Sequence, residues 1–334
     1  MLRSFLESLF NIFRFHKKKI AFLISSISFC TVLLFPYDDL SDYITLQVTR
    51  ASQSNVYLQF DGLSFGFMPQ LGIKMENVLV ESVFAPTMAV KTLGFAPKFF
   101  SLLTGTPGGV LKAYGIFRGD ADIEFGSSNQ LNIDGNEVGL SLNLENISLD
   151  DLSKFLKESS QFPLSMRGKT QMTSHFFIDP SFKEPPKGDW NLAIQAFEIP
   201  STQIPIPMQG ASLSFPIPNI KLTEVKIVGN IKDRRLIIKE GLIGKPGNDL
   251  NGTITGDIIV DILPGGRLRM GGYDLKINLN VSDTLKAQLG GMLDIVDGIQ
   301  NIGSRFKFDS LNGVRYTMRL SASSMSVMPR VGND

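Results

Sequence analysis

Apolar and polar residues alternate along most of this chain with a period of two. Val56, Leu58 and Phe60 mark one run, and Leu63, Phe65 and Phe67 the next. Leu71, Ile73 and Met75 follow. Val138, Leu140, Leu142 and Leu144 form another, then Trp190, Leu192 and Ile194. Tyr273, Leu275, Ile277, Leu279 and Val281 alternate with Asp274, Lys276, Asn278 and Asn280. Val314, Tyr316, Met318 and Leu320 alternate with Arg315, Thr317 and Arg319. Successive strand residues point to opposite faces, so each run predicts a strand with one greasy and one wet face. That pattern favours antiparallel over parallel sheet. Gly-containing joints at Asp61-Gly62, Asp134-Gly135 and Asn312-Gly313 predict turns.

Helical spacing is scarce. Ser148 with Asp151 predicts a capped start for a helix over Leu149–Glu158, with Leu152, Phe155 and Leu156 on one face. Pro97 predicts the start of a short helix through Leu103. Leu285, Leu289, Met292, Val296 and Ile299 predict an amphipathic helix over 283–303, weakened by Gly290 and Gly291. At the amino terminus Leu2, Phe5, Leu6, Leu9, Phe10 and Phe13 share one helical face, either a surface helix on a membrane or a frayed tail.

One run breaks both patterns. Ile20–Phe35 carries no charge and would span about 24 Å as a helix. Arg14, Lys17, Lys18 and Lys19 precede it, while Asp38, Asp39 and Asp42 follow. This predicts an anchor over 20–37 with a cytoplasmic segment 1–19 and a periplasmic β-rich domain 38–334. A cleaved signal peptide competes, but its only small-residue site, Ser26-Ile27-Ser28, lies inside the apolar run. A lipoprotein signal at Cys30 is disfavoured by Phe29. Breaker-rich stretches at 179–189 and 199–220 divide the strand field, the first a candidate subdivision.

Composition narrows the function. Charged residues make up 19% of the 334, below the roughly 25% usual for soluble domains. The net charge of +1 supplies no field for nucleic acid. One Cys and two His are a poor supply for a metal cage, so no metal is expected. No nucleophile motif accompanies His16 or His175, and the Gly clusters lack the Gly-Lys-Ser/Thr ending of a phosphate loop. Neither catalysis nor a cofactor is expected. The few helices cannot cover so many greasy strand faces. The sheet must close as a filled sandwich, the commoner outcome, or present an open apolar groove. An outer-membrane barrel is disfavoured by 6 Tyr, 1 Trp and a Gly-Asn-Asp end.

Particular segments resemble a known family. LQFDGLSFGFMPQLGIKMENVLVES (58–82) after an anchor is similar to the first strand unit of AsmA-like proteins. FFSLLTG (99–105) matches their Leu-Leu-x-Gly element, and YGIFRGDADIEF (114–125) their next hairpin. The helix running into PLSMRG, the Pro-rich crossing 197–220, the segment LIIKEGLIGKPGNDLNGTITGDIIV and the ending LNGVRYTMRLSASSMSVMPRV follow in the order seen in protein N of the type II secretion system, the GspN family. The resemblance covers most of residues 20–330.

It implies a mainly β fold: an N-terminal transmembrane helix, then a long twisted antiparallel sheet with a few short amphipathic helices. It also implies a non-enzymatic, single-pass inner-membrane protein with its bulk in the periplasm, partnered by secretion-system subunits. The AsmA-like side implies a sheet curled into a groove for membrane lipid. The expected groove residues are Tyr273, Leu275, Ile277, Leu279, Val314, Tyr316 and Met318.

Overall fold

The computed structural model describes residues 17–33, 37–66, 72–83, 85–98, 108–127, 137–160, 165–179, 185–208, 211–263, 267–290, 307–310, 313–324 and 330–332. Two helices come first, α1 (Lys17–Leu33) and α2 (Tyr37–Ala51). Strands β1 (Val56–Gln59), β2 (Gly62–Gly66), β3 (Gly72–Ser82), β4 (Ala85–Pro97), β5 (Gly109–Ile116), β6 (Gly119–Ser127) and β7 (Val138–Ser148) lead into α3 (Leu149–Ser160). Then come β8 (Arg167–Ile178), β9 (Lys187–Ile199), β10 (Thr202–Met208), β11 (Ala211–Ile217), β12 (Ile220–Lys232), β13 (Arg235–Ile243), β14 (Leu250–Leu263) and β15 (Arg267–Ser282). Helix α4 (Asp283–Leu289) precedes β16 (Lys307–Ser310), β17 (Gly313–Ser324) and β18 (Arg330–Gly332).

The fold is mainly β. Sixteen strands form one antiparallel sheet in the order β1-β3-β4-β5-β6-β7-β8-β9-β12-β13-β14-β15-β17-β16, with β2 beside β3 and β18 beside β17. Nearly every strand pairs with its neighbour in sequence. The main excursion is the Pro-rich crossing, which forms a separate two-stranded hairpin, β10–β11. Strands β8 and β9 pair directly, from Phe177 with Lys187 to Arg167 with Glu198.

Hairpin turns set the registers. Phe117 and Arg118, at φ 46° and 61°, join β5 to β6, and Asp233 and Arg234, at φ 52° and 61°, join β12 to β13. Paired left-handed residues are the signature of the type I′ turn, whose twist matches that of the strands. Such φ values are costly for Phe and Arg. At Arg118 the guanidinium offsets this by gripping Asp151 and Ser148 at the start of α3. Bulges interrupt the ladders at Gly115 (φ 78°) in β5, Asn146 (φ 56°) in β7 and Ala196 (φ 51°) in β9. Each bulge bends and further twists its strand.

Several expectations are corrected. Asp61-Gly62 does not turn a hairpin: β1 and β2 both pair with β3 in one register, as a single strand kinked at Phe60 and Asp61. Pro97 ends β4 rather than opening a helix, since the Ala96–Val110 and Pro97–Gly109 pairs carry the ladder through it. Of the helix expected over 283–303, Asp283–Leu289 forms α4, followed by Gly290 at φ 35°, and 291–303 lie outside the described residues. Helix α2 was not foreseen, although Leu40, Ile44 and Val48 lie at helical spacing. Among the described residues no helix is long and apolar enough to cross a membrane. Helix α1 has 17 residues, about 26 Å, and begins with three lysines, so the anchor expected over 20–37 is not described as one spanning helix. The calls on residues 2–13, Asp134-Gly135 and 99–105 lie outside the described residues.

Candidate functional site: the apolar face of the sheet

Cross-strand partners share a face, so the registers assemble the greasy side residue by residue. One row begins at Ile73 and runs through Phe95, Leu111, Ile123, Leu142 and Ser174 to Trp190. It continues through Gly229, Ile238, Gly256 and Leu275 to Leu320. The next row runs from Met75 through Leu93, Ala113, Ala121, Leu144, Met172 and Leu192. It passes on through Ile227, Gly241, Ile254 and Ile277 to Met318. Neither row contains a charged side chain. Each crosses twelve strands, about 53 Å at the 4.8 Å spacing of neighbouring strands.

The opposite face is wet. Arg235 donates to Asp257 at 2.9 Å, Lys239 to Asp189 at 3.0 Å, and Arg319 Nε to Asp274 at 2.7 Å. Lys112 lies 3.6 Å from Asp122. Exposed pairs like these contribute little stability but keep that face solvated. The Arg319 guanidinium hydrogen-bonds the Asp274 carboxyl and holds it below its ordinary pKa. His175 also lies on this face, exposed, with Nδ1 2.8 Å from Ser141 Oγ. Among the described residues no cluster of three metal-ligating side chains occurs.

Among the described residues, helices pack on the apolar face towards one end of the strands. Ile44 and Val48 of α2 pack on Leu58, Met75, Val78 and Val90. Leu149 and Leu152 of α3 join Ile194, Leu222 and Val225. Leu285 of α4 joins Val281, Val314 and Tyr316. Most of these strand residues lie towards the strand ends from which the helices leave, though Met75 belongs to the second row, and Ala113, Ala121, Ser174, Trp190 and Ile238 of the two rows are buried as well. Farther along, Leu142, Leu192, Ile254, Leu275, Ile277 and Met318 are only half-buried.

The seven expected groove residues fall on this one face. Tyr273 pairs with Ala322, Leu275 with Leu320, Ile277 with Met318, Leu279 with Tyr316, and Val281 with Val314. They divide into two environments. Val314 and Tyr316 are each 3% exposed beneath α4, whereas Tyr273, Leu275, Ile277, Leu279 and Met318 are half-buried. Sequence reading missed how far the face extends across β4 to β6 and β12 to β14. Gly229, Gly241, Gly252 and Gly256 interrupt the alternation there. Gly229 is required because a Cβ would lie 2.1 Å from the Ile237 carbonyl oxygen and 2.8 Å from Trp190 Cζ2. Comparison with protein-family models, with curated proteins and with solved structures returned no match.

Proposed function

We propose that the sheet curls into an open apolar groove that holds the acyl chains of membrane lipid, as the AsmA-like resemblance implies, and that the protein is not an enzyme. The observation that carries this reading is the pair of uncharged rows crossing twelve strands, with the described helices packed towards one end of the strands. Leaving so much apolar surface to water is unfavourable by roughly 25 cal/mol per Å², so such a face implies an apolar occupant. The bulges in β5, β7 and β9 supply the curvature a groove needs. We place the chain at the bacterial inner membrane, amino terminus in the cytoplasm and bulk in the periplasm. Phe22 and Leu23 of α1 are 75% and 59% exposed, as befits a helix whose surroundings are lipid.

The test is native mass spectrometry of the full chain released from detergent. Phospholipid is expected on the wild type and absent from Ile277→Asp. A lipid-free wild type would overturn the reading.

A second reading, an accessory subunit of a type II secretion system, is favoured by the order of segments over residues 20–330 and by the β10–β11 hairpin. That hairpin forms a two-stranded sheet of its own, apart from the main one. It predicts co-purification with inner-membrane secretion subunits and a secretion block on deletion with lipid distribution intact. Normal secretion in the deletion strain would sink it.

A further inference from the structure

One mid-strand glycine has no cause in the packing around it. Glycine weakens a strand, and it is kept where a bulge, a left-handed φ or a close neighbour requires it. A Cβ at Gly229, Gly241, Gly252 or Gly256 would lie between 2.0 and 2.7 Å from a backbone oxygen of the next strand. Gly94, in β4, is different. Its pairs with Lys74 and Lys112 sit in unbroken register on both sides. Its φ is not left-handed, and a Cβ there would stand 3.8 Å from the Lys112 carbonyl oxygen, an ordinary contact. What remains as a reason for a bare strand position is close approach by a ligand.

Gly94 lines a cavity of about 370 Å³ on the wet face. That volume falls in the lower part of the roughly 300–1,000 Å³ range of small-molecule sites. The registers set its walls. Lys74 and Lys112 flank Gly94 two strand steps apart, about 10 Å. Ala96 and Val110, the next pair along, extend the floor as apolar surface. Thr92 and Tyr114, the pair on the other side, bring two hydroxyl groups, and the Tyr114 side chain is partly exposed.

The charges narrow the ligand. Each lysine ammonium has three donors and meets one carboxylate: Lys74 donates to Glu76 at 2.7 Å, and Lys112 lies 3.6 Å from Asp122. Glu76 is the cross-strand partner of Thr92, so Lys74 leans towards that end. Glu124, also in the lining, is held by Lys98. Exposed pairs of this kind are weak, so both lysines can turn a donor to an acid lying between them. Three carboxylates nearby would repel a phosphate dianion, which leaves a single negative charge as the better match.

We propose that this cavity binds a small organic monocarboxylate. Its flat apolar body lies on Gly94, Ala96 and Val110, and its carboxylate takes hydrogen bonds from Lys74 and Lys112 at the Thr92 end. The site is on the face opposite to the greasy rows and does not rest on the lipid-groove reading.

The full-length protein would be titrated by calorimetry with naphthoate, naphthyl phosphate and naphthalenemethanol, against a protein-free blank. Naphthoate is expected to bind about ten-fold more tightly than the alcohol. It should also bind more tightly than the phosphate. Added salt should narrow the preference over the alcohol. Lys74→Met and Lys112→Met should each lower it about three-fold. Gly94→Val should abolish binding yet melt no lower than the wild type, because a β-branched side chain suits a strand. Gly94→Ala, whose methyl group has ordinary clearance, serves if Gly94→Val does not fold, and should weaken binding several-fold. No binding by the wild type, equal binding of naphthoate and the alcohol, or tighter binding of the phosphate would each overturn the proposal. So would binding that survives Gly94→Val and is lost in Ile277→Asp, which would put the probe in the apolar groove. None of these outcomes touches the phospholipid test of the groove itself.

Discussion

The two ends of the apolar face are built from similar residues and live in different surroundings. At the helix-bearing end Val78 is fully buried, and Leu285 and Val314 are nearly so. A few residues along the same strands, Leu275, Ile277 and Ile254 keep the same chemistry and lose half the cover. Both lie on one sheet, in continuous register. Helices α2, α3 and α4 make part of the difference, and side chains such as Trp190 over Gly229 bury other points of the same rows. Composition sets which face is greasy, and the placement of three short helices helps decide where that face becomes a core and where it remains a surface.

The sharpest way to break this comparison is to place the same charge in both settings. Leu285→Asp buries a carboxylate with no cation beside it and should destabilise the chain by about 3–5 kcal/mol, read by chemical denaturation. Ile277→Asp should fold, because its side chain can reach water, and should lose lipid. If Ile277→Asp unfolds the chain equally, the middle of the face is a filled core.

A milder pair sharpens the same point. Leu285→Ala should cost about 3 kcal/mol and Leu275→Ala about 1 kcal/mol in the lipid-free protein. Saturating lipid should stabilise the wild type and widen the effect of Leu275→Ala, leaving that of Leu285→Ala unchanged.

Between the two ends sits Trp190 over Gly229. Gly229→Ala places a methyl group 2.1 Å from the Ile237 carbonyl oxygen and 2.8 Å from the indole and should cost about 1–3 kcal/mol. Displacement of the ring would appear as a red-shifted emission. An unshifted spectrum would mean that the strand backbone at Ile237 gives way rather than the indole.

Acid should have the smallest effect, and it too separates the regions. Lys154 hydrogen-bonds Asp150 at the start of α3 and lowers its pKa, as Arg319 does for Asp274. A carboxyl with a lowered folded pKa stabilises fully above its unfolded value near 3.9, and that contribution is lost as pH falls through the folded value. Thermal melts should therefore decline slightly below about pH 4, and less so in Asp150→Asn. The two central rows carry no titratable side chain, so lipid binding should be flat from pH 8 to pH 5. A steep dependence in that window would contradict an uncharged groove.

The strands that alternate strictly were legible in the sequence. The runs at 138–144, 190–194, 273–281 and 314–320 lie in β7, β9, β15 and β17. So was α3, whose Asp150 and Asp151 open the helix and whose Phe155 meets Phe117 edge-on at 5.4 Å. Strands β12 to β14 were less legible because glycines replace apolar residues wherever a neighbour presses close. The type I′ turns at Phe117-Arg118 and Asp233-Arg234 lack the Asn-Gly pair that usually marks them. Arg118 shows why: tertiary contacts with Asp151 and Ser148 hold a turn that local preference would not choose. The seven candidate residues share one face because β15 and β17 alternate strictly. Their division into covered and half-covered could not be read, since it depends on where α4 stops.

The strand order has one further consequence. A barrel must close, so its strand number is fixed by geometry. This sheet is an open meander, and its two rims are finished differently: α2 lies on β1 and β2, while β17 carries only the short strands β16 and β18. Such rims blunt edge-to-edge aggregation. Between them, the sheet behaves as a one-dimensional array in which each hairpin needs only its neighbours. The ladder can therefore be zipped up strand by strand as the polypeptide emerges, without waiting for a distant partner. Its length is also open to change: one inserted hairpin would extend the sheet by about 10 Å and leave every other register as it was.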